Sequence, residues 1–255
     1  MPVAEARFYE ILLWSWIGLA VLTFASLQFI VAPYGRHTRG GWGPKLSSTW
    51  GWVLMEAPAS LGFAAFFWWG ERRMQPGALA LLALWELHYL NRAFVFPFRR
   101  RGGEKPMPLA IPLMAIFFNV PNAYLNARWL THFSPGYGAA WLSDPRFLLG
   151  AALFLVGLVI NWQADQILMA LRRPGETGYK IPVGGLYRFI SCPNYFGEML
   201  EWTGWAIATW SLPGLMFALY TAANLVPRAR ANHAWYQQTF ADYPPERKAV
   251  LPLMF

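Results

Sequence analysis

Seven long apolar runs dominate this sequence. They cover approximately residues 8–31, 50–69, 77–98, 108–130, 145–171, 195–211 and 212–226. A helix needs about 20 mainly apolar residues to cross the hydrocarbon core of a bilayer, and all but the last two runs reach that length. The pattern predicts an all-α integral membrane protein with seven transmembrane helices, folded as a single domain over residues 1–255.

The last two runs meet at Leu212-Pro213-Gly214, which predicts a tight turn because proline ends one helix and can begin the next. Composition supports a membrane location. Only 13% of the residues are charged, against roughly a quarter in soluble domains, so the chain has too few charges to solvate a water-exposed surface. Its 15 Trp and 11 Tyr suit the two bilayer interfaces, which favour amphipathic rings.

The distribution of basic residues predicts which side of the membrane each end of the runs faces. Cytoplasmic loops of membrane proteins are enriched in Lys and Arg. With the N-terminus outside, 15 of the 21 Lys and Arg residues fall in cytoplasmic segments, and five in outer segments. Arg92 is the remaining one and lies within a run. This alternation predicts an outer N-terminus and a cytoplasmic C-terminus.

Several functional classes are disfavoured. The net charge of +8 sits in short clusters between apolar runs and forms no continuous basic stripe, so we expect no nucleic-acid partner. Cys192 is the lone cysteine, and the four histidines show no pair at ligand spacing, which disfavours disulfides, zinc and haem. Neither a Gly-x-Gly-x-x-Gly fingerprint nor a Walker-type loop is present, so any nucleotide binds in a different way.

Ionisable residues occur inside the runs, where they are costly and usually face a protein interior or a cavity. The acids are Glu56, Glu86, Asp165, Glu198 and Glu201. One or two such groups are commonly explained by hydrogen bonds between helices, but five exceed that need. We therefore predict a functional polar cavity.

The cavity should open toward the cytoplasm. Asn161 and Asp165 are four residues apart and share a helical face, and Asn194 and Glu198 repeat that spacing in the next run. Arginines gather near the same side, at Arg36, Arg92, Arg99 to Arg101, Arg172, Arg173, Arg228 and Arg230. Guanidinium forks suit phosphate, so an anionic ligand entering from the cytoplasm is expected, although membrane anchoring explains most of these residues singly.

The chain closely resembles the steroid 5α-reductase family. The likeness lies in Arg172 to Pro182 (RRPGETGYKIP), Gly184 to Leu186, Asn194 to Glu198, Glu201-Trp202, Ala208 to Pro213 and Phe240 to Pro244, and it reappears upstream in Pro33 to Thr38, Glu56 to Pro58 and Leu87 to Tyr89. A weaker likeness extends to other sterol reductases and to isoprenylcysteine-type methyltransferases. The order of the motifs makes a chance match negligible.

The resemblance implies a seven-helix reductase that transfers hydride from NADPH to C5 of a 3-oxo-Δ4 steroid. It places Glu56 and Tyr89 at the substrate ketone. It places the cofactor at Asn161, Asp165, Arg172, Tyr179, Asn194, Arg228 and Tyr236, with Arg36, Arg92 and Glu198 as further candidates. Substrate-side helices would then occupy residues 8–130 and the NADPH region residues 145–255.

Two departures from the family pattern stand out. Asn232 occupies a position where animal members carry a histidine that meets the cofactor, and the loop from Arg99 to Lys105 aligns ambiguously and receives no role. The likeness suggests a monomeric bacterial homologue in the inner membrane, or an endoplasmic reticulum protein if the source is eukaryotic. Its partners would be a steroid or other enone lipid and the membrane lipid.

Elementary chemistry agrees with the resemblance. Hydride addition to an enone places negative charge on the carbonyl oxygen, and a positioned donor lowers that barrier. Tyr89 can donate this hydrogen bond, while a protonated Glu56 can donate directly or orient the tyrosine.

Three alternatives stay open. One is a membrane methyltransferase of the isoprenylcysteine type that uses S-adenosylmethionine, which has less use for phosphate-binding cations. Another is a reductase of a polyprenol-like lipid. The third is a seven-helix receptor or lipid-binding protein that performs no chemistry.

Overall fold

The computed structural model describes residues 3–31, 33, 35–37, 39–101, 106–173 and 176–252. Its α-helices are α1 Val3–Phe29, α2 Ser48–Trp68, α3 Pro76–Leu90, α4 Phe96–Arg99, α5 Ala110–Arg128, α6 Pro145–Ala170, α7 Pro193–Thr209 and α8 Leu212–Thr239. Every predicted apolar run is helical, so the prediction of a mainly helical fold is confirmed. Among the described helices, two segments are long and apolar enough to cross a membrane, Ala4–Phe29 and Pro145–Ala170.

The third apolar run is not one regular helix. A π-helical turn, Asn91–Val95, separates α3 from α4. Pro97 lies in the first turn of α4 and has no N–H to donate to the carbonyl of the preceding turn, which accounts for the widened backbone there. Such turns often occur at functional sites, and this one carries the buried Arg92.

Glycines allow α6 and α7 to lie in close contact. A Cβ on Gly157 would lie 2.5 Å from the backbone nitrogen of Glu201, and one on Gly197 would lie 2.6 Å from that of Asn161. Gly150 and Gly204 meet the opposite helix at similarly short distances. Small residues that let helix backbones approach are the usual means of packing helices in membranes. The close approach brings the polar side chains of α6 beside those of α7.

Large aromatic side chains fill the interior beside these helices. Trp85 of α3 packs against Trp202 and Trp205 of α7, with ring centroids 5.3 Å and 5.1 Å apart. The indole nitrogens are satisfied: Trp85 donates to the carbonyl of Ala59 at 3.0 Å, and Trp205 donates to Asn126 Oδ1 at 2.9 Å. This aromatic layer closes the bundle around the polar residues and excludes water from them.

Short pairings hold the loops over one end of the bundle. Strand β1, Lys45–Leu46, pairs antiparallel with β2, Met107–Pro108, and thereby joins the segments that precede α2 and α5. Ile190 forms a parallel bridge with Lys248, which ties the C-terminal segment to the start of α7. These loops surround the cavity described below.

Two predicted boundaries were wrong. The last helix does not end near Val226 but continues to Thr239, with Pro227 inside it. The turn between α7 and α8 is centred on Trp210, which adopts a left-handed conformation with φ 44°, rather than on Leu212 to Gly214. Pro213 and Gly214 lie instead in the first turn of α8, where Ser211 accepts a hydrogen bond from the Gly214 N–H.

Candidate active site

A cavity of about 280 Å³ lies at the end of the bundle where the loops gather. Eight of the eleven predicted cofactor residues line it: Arg36, Asp165, Arg172, Tyr179, Asn194, Arg228, Asn232 and Tyr236. The other three, Arg92, Asn161 and Glu198, do not belong to the lining and lie deeper in the polar network. The fold thus gathers residues from both halves of the sequence.

Arg36 and Arg172 stand out among the arginines of the cavity, because each has a buried donor with no acceptor among the described residues. Arg36 stacks on the ring of Tyr236, 4.5 Å from its centroid, and donates to the hydroxyl at 3.3 Å. Arg172 donates to the carbonyl of Arg101 at 3.2 Å. Arg36 Nη1 and Arg172 Nε are buried without a hydrogen-bond partner among the described residues. Buried donors are normally satisfied, so these two suit an anionic ligand in the cavity.

A histidine does reach the position of Asn232, but it comes from the loop before α2. Asn232 Oδ1 accepts a hydrogen bond from His37 Nε2 at 3.0 Å. Partial burial lowers the pKa of His37, and the neighbouring cations Arg36 and Arg39 lower it further. The ring is therefore neutral near pH 7, with Nε2 as its donor. Sequence order alone gave no sign of this pairing.

Asn232 also belongs to a second small cluster, with Arg228 one turn away on α8. Arg228 donates to the Tyr195 hydroxyl at 3.2 Å and to Asn224 at 3.1 Å. Asn232 Nδ2 lies 3.4 Å from the same hydroxyl. Tyr195 was not predicted as a site residue, yet it lies in the cavity wall and orients both predicted residues.

Arg92 connects the cavity wall to the interior. Its guanidinium donates to Asp165 at 2.8 Å and lies 3.8 Å from the Glu198 carboxylate. Asn194 donates to the other Asp165 oxygen at 3.3 Å, and Asn161 donates to the backbone carbonyl of Asn194 at 3.0 Å. Asn161 therefore positions the start of α7, and Glu198 compensates Arg92, both from behind the cavity surface.

The predicted catalytic pair, Glu56 and Tyr89, faces the same interior. Tyr89 is buried among Trp85, His88 and Trp202, with ring centroids 4.8 to 5.6 Å away. Glu56 is close enough to interact electrostatically with Tyr89. Within the described part of the chain, no hydrogen bond joins them. Glu56 and Tyr89 therefore do not serve as a hydrogen-bonded pair that links α2 to α3.

A buried pair beside Tyr89 received no role from the sequence. His88 Nδ1 lies 2.8 Å from Glu201 Oε1, and the Glu201 side chain is 0% exposed. In the sequence, Glu201 is one of the five acids inside the apolar runs and belongs to the Glu201-Trp202 family motif, but no specific role follows for it. The spacing of three from Glu198 was the available signal, but the identity of its partner on α3 depends on how the helices pack.

The basic loop that had no predicted role contributes to the cavity wall through Arg100 and Arg101. Arg100 donates to Ser48 at 2.7 Å and its guanidinium lies 5.3 Å from the centre of the Trp52 ring. Lys105 lies outside the described residues. Because this loop aligns ambiguously with the family, the sequence did not identify Arg100 and Arg101 as residues that line the cavity.

The spacing of Asp165 and Arg172, seven residues or about two helical turns, predicts that they share one face of the fifth run, and this prediction is wrong in detail. Helix α6 ends at Ala170, and Arg172 lies beyond it. Both residues still line the cavity, because the chain turns there and Arg172 stacks 5.2 Å from the Tyr179 ring centre.

Taken together, these distances describe two connected compartments. The outer one is a cation-rich cavity with buried donors, and the inner one is an aromatic-walled group of carboxyls around Arg92. Asp165 belongs to both, since it lines the cavity and accepts from Arg92. Such an arrangement can bind an anionic ligand in the cavity and direct its reactive end toward a water-poor interior.

The family model described as 3-oxo-5-alpha-steroid 4-dehydrogenase matches residues 105–255. A steroid 5-alpha-reductase of Gossypium hirsutum is 44% identical over 259 residues, with 100% of both chains covered.

Mammalian proteins match comparably well. The 3-oxo-5-alpha-steroid 4-dehydrogenase 1 of Bos taurus is 43% identical and covers 100% of both chains. The Homo sapiens protein of the same name is 40% identical, covering 99% of this chain and 98% of its own. These relatives are from plants and mammals, so they give no support to the expected bacterial source or inner-membrane location.

Proposed function

Because the chain belongs to the 3-oxo-5-alpha-steroid 4-dehydrogenase family, whose members are oxidoreductases acting on a CH–CH bond, we propose that it reduces the Δ4 double bond of a 3-oxo-Δ4 steroid with NADPH. The observation that carries the proposal is the cavity in which two buried arginine donors have no partner among the described residues. It adjoins the Asp165–Arg92 ion pair, which lies within electrostatic range of Tyr89 and Glu56.

The residues of the cavity fit a phosphorylated dinucleotide. Arg36, Arg172 and Arg228 supply three guanidinium groups. The first two each have a buried N–H without a partner in the described part of the chain, from which a charged oxygen can accept a hydrogen bond. Tyr179 and Tyr236 supply aromatic surfaces on which planar rings can pack. Asn194 and Asn232 add amide groups with both donor and acceptor capacity. We assign cofactor binding to these seven residues and to Asp165.

The inner residues have a different role in this proposal. Arg92, Glu198 and Asn161 position the wall of the cofactor site: Asn161 fixes the first turn of α7, and Glu198 balances the charge of Arg92. An arginine buried this deeply keeps its place only with carboxylate partners, and it has two. Loss of either partner would alter the floor of the cavity.

Tyr89 acts on the substrate ketone. When bound, NADPH supplies the hydride that adds to C5. The Tyr89 hydroxyl donates to the carbonyl oxygen as that oxygen becomes negative, and a preorganised donor in a water-poor site stabilises such charge strongly. Glu56, which lies within electrostatic range, orients the hydroxyl or donates a second hydrogen bond. The Trp85 and Trp202 rings pack against Tyr89 and keep water away from its hydroxyl.

The membrane arrangement belongs to the same proposal. We propose seven transmembrane segments, with α3, the π-turn and α4 forming the third, an outer N-terminus and a cytoplasmic C-terminus. The distribution of Lys and Arg supports this orientation, and the cation-lined cavity then opens to the cytoplasm. Helix α1 supports a lipid environment, since only 11% of its most apolar stretch is buried within the protein. We further propose one domain, with substrate-side helices before residue 130 and the cofactor region after residue 145.

Purified protein in lipid nanodiscs tests the function directly. We expect NADPH oxidation that depends on a 3-oxo-Δ4 steroid and yields the 5α-reduced ketone by mass spectrometry. We also expect NADPH to raise the melting temperature. Stabilisation by S-adenosylmethionine and not by NADPH would reject the reductase assignment, and turnover of a polyprenol-type enone alone would reject the steroid.

A further inference from the structure

The interior of the bundle holds more acid than base. Four carboxyl groups surround the inner end of the site, on Glu56, Asp165, Glu198 and Glu201. Among the described residues, Arg92 is the arginine that pairs with them, and His88 is the other basic group that contacts one. Tyr89 also faces these four carboxyl groups, but it carries no positive charge that could balance theirs.

Such an imbalance requires bound protons. Transfer of an unpaired carboxylate into an apolar interior is far more costly than keeping the group neutral. Arg92 compensates Asp165 at 2.8 Å and approaches Glu198 at 3.8 Å, but Glu201 is paired with His88 instead. Glu201 is also fully buried, and its Oε2 has no hydrogen-bond partner among the described residues. The His88 and Glu201 pair is therefore neutral overall.

A His88–Glu201 pair with no net charge carries one more proton than a neutral imidazole beside an ionised carboxylate. That proton resides either on Glu201, beside a neutral ring, or on His88, as an imidazolium beside a carboxylate. For two groups 2.8 Å apart the proton belongs to the pair rather than to one residue.

We propose that the His88–Glu201 pair stores the proton that the reaction delivers to C4 of the steroid. The inference rests on the proposed reductase function and identifies the source of the second hydrogen. Hydride addition at C5 breaks the C4–C5 double bond and leaves its electron pair at C4. His88 Nε2–H gives its proton to that electron pair, and Nδ1 keeps or receives the proton shared with Glu201. The pair is left as a neutral imidazole and a carboxylate.

The position of His88 suits this transfer. C4 is bonded to the carbonyl carbon whose oxygen Tyr89 holds, so the proton donor must lie close to Tyr89. The His88 and Tyr89 rings are 4.8 Å apart. Glu201 occupies Nδ1, so Nε2 is the ring nitrogen through which His88 would donate to a substrate.

Two isotope effects test the proposal in single-turnover reduction of a 3-oxo-Δ4 steroid. In His88→Gln and Glu201→Gln the stored proton is lost, so protonation should become rate-limiting. We expect a rate loss of about a hundredfold, in line with general acid catalysis. The solvent kinetic isotope effect, measured in D2O, should increase. The kinetic isotope effect of deuterium at the transferred position of NADPH should decrease. A merely structural role would lower the rate and leave both isotope effects unchanged, which would overturn the proposal.

Glu86→Gln is the matched control. Glu86 is also a partly buried acid on α3, but it pairs with Ser60 at 2.6 Å and lies outside the cluster. Its isotope effects should equal those of the wild type. A His88→Gln rate within a fewfold of wild type would likewise overturn the proposal.

A spectroscopic measurement on the ligand-free protein separates this inference from the function itself. Infrared spectroscopy should show a protonated-carboxyl band that disappears in Glu201→Gln, or ¹⁵N NMR should show an imidazolium signal that disappears in His88→Gln. Finding neither would exclude a stored proton. Wild-type protein that reduces no steroid would instead refute the function, and the spectra would still decide whether the pair holds a proton.

Discussion

The Arg92 guanidinium donates to the Asp165 carboxylate at 2.8 Å and so joins a π-turn of the third apolar run to the C-terminal part of α6. Both side chains are at most 10% exposed. Removing one partner from a buried ion pair costs about 3 to 5 kcal/mol, because the other charge stays buried and unpaired.

The first prediction concerns this pair. Asp165→Asn should lower the unfolding free energy, because Arg92 is then left with Glu198 alone, at 3.8 Å. The double variant Asp165→Asn with Arg92→Leu should recover part of the loss, because the buried cation is removed and Glu198 can take up a proton. Unfolding in detergent micelles, without cofactor, measures both. Gln166→Ala is the control, since this neighbour is exposed and accepts a hydrogen bond from Arg99 rather than from Arg92. A double variant no more stable than Asp165→Asn would contradict the ion-pair interpretation.

The second prediction concerns the cofactor. Arg172→Ala should weaken NADPH binding tenfold or more, because a charge-assisted hydrogen bond contributes about 1.5 to 3 kcal/mol. Its neighbour Arg173 is exposed and does not line the cavity, so Arg173→Ala should bind NADPH as the wild type does. Isothermal titration calorimetry gives both dissociation constants. Equal affinities for the two variants would assign Arg172 to membrane anchoring.

The third prediction concerns the chemical step. Tyr89→Phe removes one hydroxyl and should slow single-turnover steroid reduction about a hundredfold to a thousandfold while NADPH affinity is retained. The decrease should appear in kcat and in kcat/KM together if the hydrogen bond forms mainly in the transition state. Tyr124→Phe, a tyrosine that bonds Glu5 at the other end of the bundle, is the control. A Tyr89→Phe rate within a fewfold of wild type would remove Tyr89 from the mechanism.

Glu56 allows a companion measurement. Glu56→Gln should be the milder substitution if the carboxyl acts in its protonated form, because an amide can still donate a hydrogen bond. The loss of rate in Glu56→Gln should be severe if the carboxyl must ionise. The same single-turnover assay distinguishes these two outcomes.

The fourth prediction concerns helix packing. Gly157→Ala should reduce the yield of folded protein, because its Cβ would lie 2.5 Å from backbone atoms of α7 and the helices cannot separate without displacing the site. Gly18 in α1 has no atom within 4 Å of the corresponding position, so Gly18→Ala should leave stability unchanged or raise it. Size-exclusion chromatography and thermal unfolding compare the two. Equal behaviour would mean that α6 and α7 tolerate a wider spacing.

The fifth prediction is the topology. In a Cys192→Ser background, single cysteines at Arg99 and Lys248 should react with a membrane-impermeant reagent from the same side, and one at Glu71 from the other. These three side chains are exposed on the described surface. Labelling of Arg99→Cys and Lys248→Cys from opposite sides would reject seven spans.

Local information in the sequence determined the helices. Apolar runs of fixed length, ended by proline, glycine and charges, predict helices because each backbone hydrogen bond in a helix joins residues four apart. The predictions failed where local signals were ambiguous. Pro227 did not end α8, because its helix continues across the packed surface of the bundle. The π-turn also escaped detection, since its residues look helical by any local criterion.

The sequence likewise showed which polar residues were out of place in lipid, and the family motifs suggested a site. It could not show which of them meet. Asp165 pairs with Arg92 and His88 with Glu201 across 73 and 113 residues, and His37 reaches Asn232 across 195. Those contacts depend on how closely α6 and α7 approach and on where the loops fold over the bundle. Only the tertiary structure decides such contacts, because they arise from packing between distant segments rather than from local sequence.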